Sequence, residues 1–297
     1  MSRTDVPAPT VITPAVLREW GLPGPGSDKD SNGSTLVVGG HLETPGAVLL
    51  AAESALRCGA GRLQVATVAQ VAPYVAVALP EAKVSGLEQT AGGDIAPSAA
   101  ERILELADGC GAVLLGPGMG DIDVVRQLLA LVVPRLESAV VLDAAALAYV
   151  GQDPSALRPL AGRCVLTPNL KELALALGEE PDAVRDDAGP YALELARRTG
   201  VVVSAGGARS WIATPDGRLW VDDAGGAGLA ASGSGDVHAG VVVGLAARGA
   251  EPAQAAAWGA YVHARAGDRM AAAVGPLGFL AREVSAEVPR VLAEIDV

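Results

Sequence analysis

The chain has 297 residues, 50% of them hydrophobic, with 37 glycines and an aromatic content of 3%. Against 22 Lys and Arg stand 34 Asp and Glu, a net charge of −12 with no basic block, which excludes nucleic-acid binding through a cationic face. No apolar run is long and unbroken enough to span a bilayer, so the expectation is a globular chain with a large core and no membrane partner.

Met1 to Pro25 is polar and Pro-rich without an apolar signal segment, and residues 1–30 read as an N-terminal extension, either packed on the rest or flexible. Thr35 to Val38 is a short buried-strand run ending in Gly39-Gly40. Pro45 to Cys58 predicts an Ala-rich helix carrying the i,i+4 pair Glu53 and Arg57 and stopped by Gly59. Arg62 to Val68 is a second strand, Ser98 to Ala107 a helix, Ala112 to Leu115 a strand, and Gly116 to Gly120 a loop. A helix over Asp123 to Val133 precedes a strand over Ala139 to Leu142 that ends at Asp143. Cys164 to Leu166 is a strand ending in Thr167-Pro168; helices follow at Lys171 to Leu177 and Gly189 to Thr199, then a strand at Val201 to Ser204. Trp211 to Ala213 and Arg218 to Val221, separated by Pro215-Asp216-Gly217, predict a hairpin. Three helices close the chain, from Val237, Pro252 and Leu280 onward.

Short, almost wholly apolar strands alternating with helices predict an α/β fold, a mostly parallel sheet covered on both faces. With no linker, low-complexity block or repeat, residues 1–297 read as one domain. Cys58, Cys110 and Cys164 have no paired spacing and read as buried thiols of a reducing cytoplasm. Three scattered histidines and no Cys cluster give no zinc site. Trp211, Trp220 and Trp258 read as core or interface anchors, His263 as a helix–helix contact, His238 as packing or surface, and His41 as a loop residue.

Chemistry concentrates at Gly233-Ser234-Gly235-Asp236. Small residues running into a helix offer backbone N–H groups to an anion, and glycines let a phosphate approach the main chain. A carboxylate there suits a base that deprotonates a hydroxyl attacking a phosphoryl group; the same four residues also suit an ordinary N-cap and tight turn. Gly40, Gly116 to Gly120, Asp143 and Thr167 to Glu172 all fall at predicted strand ends, where the ligands of parallel sheets bind.

Leu36-Val37-Val38-Gly39-Gly40, then Pro45-Gly46-Ala47 through Arg57-Cys58-Gly59-Ala60-Gly61, resemble the opening of the NAD(P)H-hydrate dehydratase family of the ribokinase-like superfamily. So do Leu115-Gly116-Pro117-Gly118-Met119-Gly120, Val141-Leu142-Asp143-Ala144, Leu166-Thr167-Pro168, Gly233-Ser234-Gly235-Asp236-Val237 with Ala239-Gly240, and Gly267-Asp268. The resemblance runs in the family's order from about residue 10 to the C-terminus, without the family's epimerase domain. It implies a ribokinase-like three-layer α/β/α sandwich and a repair reaction. A nucleotide, typically ADP in bacterial members and otherwise ATP, phosphorylates the hydroxyl of hydrated NADH or NADPH with Mg²⁺, and phosphate then leaves. By motif Asp236 would be the base, and Gly233, Ser234 and Gly235 would hold the transferring phosphoryl group. Ala47, Gly118, Asn169 and Asp236 would face the hydrated substrate; Gly206, Gly207, Ala208, Arg209 and Ser210 would approach the nucleotide.

The chain also departs from that pattern. Asn169-Leu170-Lys171-Glu172 stands where the family has His-Pro-Gly-Glu, Gly206-Gly207 where it has Lys-Gly, and Asp28-Lys29-Asp30 where it has His-Lys-Gly. Ala145 replaces a second Asp and Ser232 a Gly. A lost lysine removes a point charge from the phosphates, for which Arg209 is a candidate substitute. Asn169 to Glu172 resembles the Asn-x-x-Glu motif of small-molecule kinases, in which Glu172 would arrange Mg²⁺ through water; it equally fits a capping box. A kinase for a vitamin- or sugar-like alcohol and a catalytically weakened nucleotide- or cofactor-binding paralogue are the alternatives. So hydrophobic a chain is expected to self-associate as a homo-oligomer.

Overall fold

The computed structural model describes residues 6–151 and 153–295. Its strands are β1 (Thr10–Val11), β2 (Ser34–Val38), β3 (Arg62–Val68), β4 (Lys83–Leu87), β5 (Ala112–Leu115), β6 (Ala139–Leu142), β7 (Cys164–Leu166), β8 (Val202–Ala205), β9 (Ser210–Ala213) and β10 (Leu219–Asp222). They form one sheet in the order β1-β10-β9-β8-β7-β6-β5-β2-β3-β4. Every pairing is parallel except those of β9, which runs against both β8 and β10. The helices, in chain order, are α1 (Pro14–Glu19), α2 (Pro45–Arg57), α3 (Ala72–Ala78), α4 (Ala100–Ala107), α5 (Ile122–Val132), α6 (Leu170–Leu177), α7 (Pro181–Asp186), α8 (Ala188–Thr199), α9 (Ser234–Ala247), α10 (Pro252–Ala273) and α11 (Ala281–Ile295).

Strand side chains alternate between two cores. Val37, Leu114 and Val141 join α2, α9, α10 and α11 on one face, while Leu36, Val113 and Val140 join α4, α5, α6 and α8 on the other. The result is the expected three-layer, mostly parallel architecture with both faces covered. Among the described residues no helix is long and apolar enough to cross a membrane.

The N-terminal segment contributes to this body. β1 adds to the sheet edge beside β10, Leu17 of α1 is fully buried, and Trp20 stacks on Trp220 with ring centroids 5.4 Å apart. Met1 to Asp5, the start of the expected extension, lie outside the described residues. β4 and α3 are additions to the predicted elements: in Val71 to Leu79 the apolar residues do not mark one buried face, since Tyr74 and Val77 are exposed. The last three helices begin at Ser234, Pro252 and Ala281. The first therefore starts one turn before the expected Val237 and takes in Asp236, because burial of the whole segment overrides the poor helix propensity of Ser and Gly.

Helix α9 buries eleven of its fourteen residues, so it is apolar all round. It lies beneath α2 at a crossing where a Cβ on Gly240 would run into the Ala51 carbonyl oxygen and one on Gly244 would stand 2.6 Å from that of Ala55. Replacing glycine by alanine inside a helix ordinarily gains about 1 kcal/mol, whereas overpacking a core costs about 1–3 kcal/mol. With backbone as the obstacle, the clash prevails: Gly240→Ala is expected to lower the urea midpoint. A raised midpoint would show that the two helices do not meet this closely.

Candidate active site

The parallel strands all end on one side. From the C-terminal end of β2 the chain turns through Gly40, whose N–H donates to the Pro117 carbonyl at 2.7 Å, interlocking the loop after β2 with the loop after β5. The Thr44 hydroxyl donates to the Gly118 carbonyl at 2.8 Å. Gly118 has φ +66°, and a Cβ there would stand 2.8 Å from that of Ala47. Two of the four residues predicted to face substrate thus touch, and only glycine fits at position 118.

His41, beside them, has both ring nitrogens engaged. Its Nδ1 accepts the Glu43 N–H at 3.1 Å, so the proton sits on Nε2, which donates to the Gly92 carbonyl at 2.9 Å. It braces a loop, as expected. Asp94, which sequence reasoning passed over, accepts the Asp121 N–H at 2.7 Å and ties the same loops together.

At the end of β6, Asp143 is buried and accepts a hydrogen bond from the Thr167 hydroxyl at 2.7 Å. Ala144 follows at φ +50°, the left-handed region that costs a non-glycine residue about 1–2 kcal/mol. At the end of β7, Asn169 caps α6. Its Oδ1 accepts the N–H groups of Lys171 and Glu172 at 2.9 and 3.0 Å, and Glu172 accepts the Asn169 N–H at 2.9 Å. The capping box is therefore complete. Asn169 also bridges Gly206 in parallel register, with the Gly206 N–H donating to the Pro168 carbonyl at 2.9 Å. A predicted substrate residue and a predicted nucleotide residue are thereby neighbours.

The turn between β8 and β9 carries Gly206 to Arg209, and Ser210 opens β9. Gly207 rests against Leu170, Gly206 has open space above it, and Ala208 is exposed. Arg209 pairs with Asp223 at 2.8 Å, linking this turn to the loop that leads into α9.

Gly233, at φ +88°, is the N-cap of α9 and gives it no side-chain cap. The Ser234 N–H donates to the Ala231 carbonyl at 3.2 Å and the Val237 N–H to the Gly233 carbonyl at 3.1 Å. The amides between them, of Gly235 and Asp236, are the pair this helix start offers to an anion. Gly235 has open space where a Cβ would be.

Three carboxylates converge here. Burial, reinforced by the Glu172 charge, pushes Asp236 up to about 6. Burial likewise raises Glu172 against the pull of its capping hydrogen bonds. Asp143 is raised well above the carboxylate range by burial, against the pull of the Thr167 hydroxyl, with the charges of Asp236 and Glu172 adding to the rise. A desolvated carboxylate of raised proton affinity beside a pair of free amides is the arrangement of a general base at a phosphate site. A cavity of about 450 Å³ bounded by Leu104, Cys110, Arg135 and Ser138 opens at the other end of the strands and shares none of these residues.

The family model described as NAD(P)H-hydrate dehydratase matches residues 35–290. The chain belongs to the NAD(P)H-hydrate dehydratase family. The ADP-dependent (S)-NAD(P)H-hydrate dehydratase of Xanthomonas campestris is 44% identical over 96% of this chain and 97% of its own length. The bifunctional NAD(P)H-hydrate repair enzyme of Escherichia coli is 31% identical over 93% of this chain, which spans 51% of that relative. The ADP/ATP-dependent NAD(P)H-hydrate dehydratase of Bacillus subtilis, co-crystallised with ATP and Mg²⁺, matches with a TM-score of 0.82 at 26% identity, covering 96% of this chain and 98% of that one. The ribokinase-like fold of this family is the fold described above.

The raised Asp236 has a consequence for stability. Its folded value of about 6 lies above the ordinary 3.8, so the ionised side chain opposes folding fully above pH 6 and not at all below the ordinary value. At about 1.4 kcal/mol per pKa unit the cost reaches about 3 kcal/mol. Asp236→Asn should therefore be about 1–3 kcal/mol more stable than the parent in urea at pH 8, the gain shrinking as pH falls from 6 towards 4. Equal midpoints at pH 8 would show that the carboxylate is not desolvated.

Proposed function

We propose that this protein dehydrates hydrated NADH or NADPH at the expense of a nucleoside di- or triphosphate, in the cytoplasm, from a single domain that carries the whole site. The observation that supports this most directly is the Asp236 carboxylate in the first turn of α9, desolvated and set beside the Gly235 and Asp236 amides. Asp236 takes the proton from the hydroxyl of the hydrated ring as its oxygen bonds to the terminal phosphorus, and the rest of the nucleotide departs. The carbon–oxygen bond then breaks with loss of phosphate, a proton leaves the neighbouring ring carbon, and the double bond returns. The Gly235 and Asp236 amides hold the phosphoryl oxygens through the transfer. Ala47 and Gly118 form the wall against the hydrated ring, and Gly206 to Ser210 the edge along which the nucleotide lies.

The Glu172 charge raises the proton affinity of Asp236, and both raise that of Asp143; a phosphate placed among them adds to that repulsion. The donor set fits a hard divalent cation arriving with the nucleotide. Mg²⁺ arriving with a nucleotide is typically held by its phosphates, by waters and by one or two carboxylates. Glu172, through water, and Asp143 are the residues that would hold it. Mg²⁺ supplies neutralisation of the phosphate charge. The free, buried cysteines accord with a reducing compartment, and the exposed Tyr74, Val77 and Leu277 with self-association.

The test is turnover of hydrated NADH with Mg²⁺ and either ADP or ATP, followed by the return of NADH absorbance. Recovery with one nucleotide names the donor; no recovery, with a thermal shift on adding nucleotide, would replace this reading by that of a kinase or a binding protein. Asp236→Asn should lower kcat by at least about a hundredfold while nucleotide still binds. Because the base works deprotonated, kcat/KM should fall as pH drops through about 6, the carboxylates titrating together; a profile flat from pH 5 to 8 would remove Asp236 from the mechanism. Open space above Gly206 admits a long side chain, so Gly206→Lys should tighten ADP binding about tenfold. Unchanged affinity would show that the phosphates lie elsewhere.

A further inference from the structure

The first turn of α9 has a second face. Ser234 and His238 are spaced i,i+4 and share one side of the helix, whereas Asp236, two residues from each, points another way. Against the Ser234–His238 side lies His263 of α10. Its Nε2 is 3.1 Å from the Ser234 hydroxyl, and its ring centroid is 5.5 Å from that of His238 with the planes tilted by 51°. His238 Nε2 in turn stands 3.5 Å from the Ser204 hydroxyl of β8. Ser234 is 6% exposed. Burial holds both imidazoles neutral, with His238 lowered to about 4 and His263 to about 3, so each ring keeps one N–H and one acceptor.

The N-cap position of α9 is a glycine and contributes no side-chain bond to the helix start. Apolar contacts beneath Gly233, from Leu50 and Ala281, are non-directional and set the rotation of the first turn less sharply than a side-chain bond does. The Ser234–His263 bond does fix it, because it joins the helix's first residue to a ring seated on a different helix.

We propose that His263 is a positioning residue for phosphoryl transfer: by binding the Ser234 hydroxyl it sets the rotation of the first turn of α9, and with it the aim of the Gly235 and Asp236 amides and the Asp236 carboxylate. The inference rests on the reaction proposed above. Misplacing such groups by about an ångström costs on the order of a hundredfold in rate, so a part-buried bond behind the first turn can govern kcat.

Three variants separate this from plain packing. His263→Phe keeps a ring and removes the bond, His263→Gln restores a nitrogen near the position of Nε2, and Ser234→Ala deletes the hydroxyl alone. His263→Phe and Ser234→Ala should each lower kcat about ten- to a hundredfold with little change in KM for the hydrate. The double variant should be no worse than either single one, and His263→Gln should recover most of the loss. Calorimetry with ADP and Mg²⁺, which needs no turnover, should show about tenfold weaker binding in His263→Phe. The proposal is overturned by unchanged kcat in folded His263→Phe, by a silent Ser234→Ala, by losses that multiply in the double variant, or by Gln performing no better than Phe. If His263→Phe does not fold, Ser234→Ala and His263→Gln decide between the outcomes, and the calorimetry is read on Ser234→Ala. If the parent itself does not dehydrate the hydrate, the functional reading fails, and the binding measurement still decides this one.

Discussion

The crossing of α9 under α2 is the constraint from which the site follows. A helix buried on nearly every side can reach a cleft only with an end, and the end that reaches it here is the N-terminus, where amides without helical partners carry the positive pole of the dipole. Gly240 and Gly244 let the two helix backbones approach to contact, and this closeness places Leu50 of α2 directly beneath Gly233. The start of α2 and the start of α9 are therefore set side by side. Leu50 lies one turn along α2 from Ala47, which touches Gly118, so the helix contact sets the Gly233 turn one helical turn from that wall.

That surface is electrostatically incomplete in a specific way. Asp143, Glu172 and Asp236 are brought together by three different elements; burial raises all three, and neighbouring carboxylate charge adds to the rise at Asp143 and Asp236. No lysine or arginine enters any of the three shifts. Such a cluster disfavours full ionisation and favours whatever brings positive charge without adding bulk. It also makes a base of moderate strength out of an aspartate, since the same desolvation that lifts Asp236 towards neutrality leaves it deprotonated at neutral pH and able to accept a proton. Instability of the ionised site and competence as a base have one physical cause.

Much of the frame could be read from the chain because its signals are local. Apolar runs at β2, β5, β6 and β7 are too short for helices and end in Gly, Asp or Thr-Pro, so both the strands and their functional ends are visible. The start of α9 was not, since Ser234-Gly235 has low helix propensity and only tertiary burial makes it helical. β1 and α1 escaped for a similar reason, being two and six residues long and held by contacts with β10 and α11 far along the chain. Asn169 and Glu172 were ambiguous between cap and ligand. The capping box settles the first role without removing the second, since Glu172 still faces Asp143 closely enough to raise it. His263 makes the helix–helix contact expected of it, but its partner Ser234 had no sequence signal, because nothing in either residue's neighbours records that α10 returns to the start of α9.

The departures from the family pattern gain a spatial meaning once Asn169 and Gly206 are seen to bridge each other. Read along the chain, the replaced His and the replaced Lys look like two separate losses. In the fold they are one altered patch at the mouth of the cleft, where the ends of β7 and β8 meet. The residues beneath it are in place: Asp143 with its Thr167 partner, the helix start at Gly233, and Asp236. Nearby, Arg209 reaches across to Asp223 and closes the turn after β8 onto the loop before α9, so a cation remains at this edge but is shared with an acid. Under the function proposed above, phosphate charge at this edge is met by backbone amides and a shared guanidinium in place of a dedicated ammonium. In that proposal, a change confined to the rim, over Asp236 and the helix start, alters how the nucleotide is held and leaves the means of transferring its phosphoryl group.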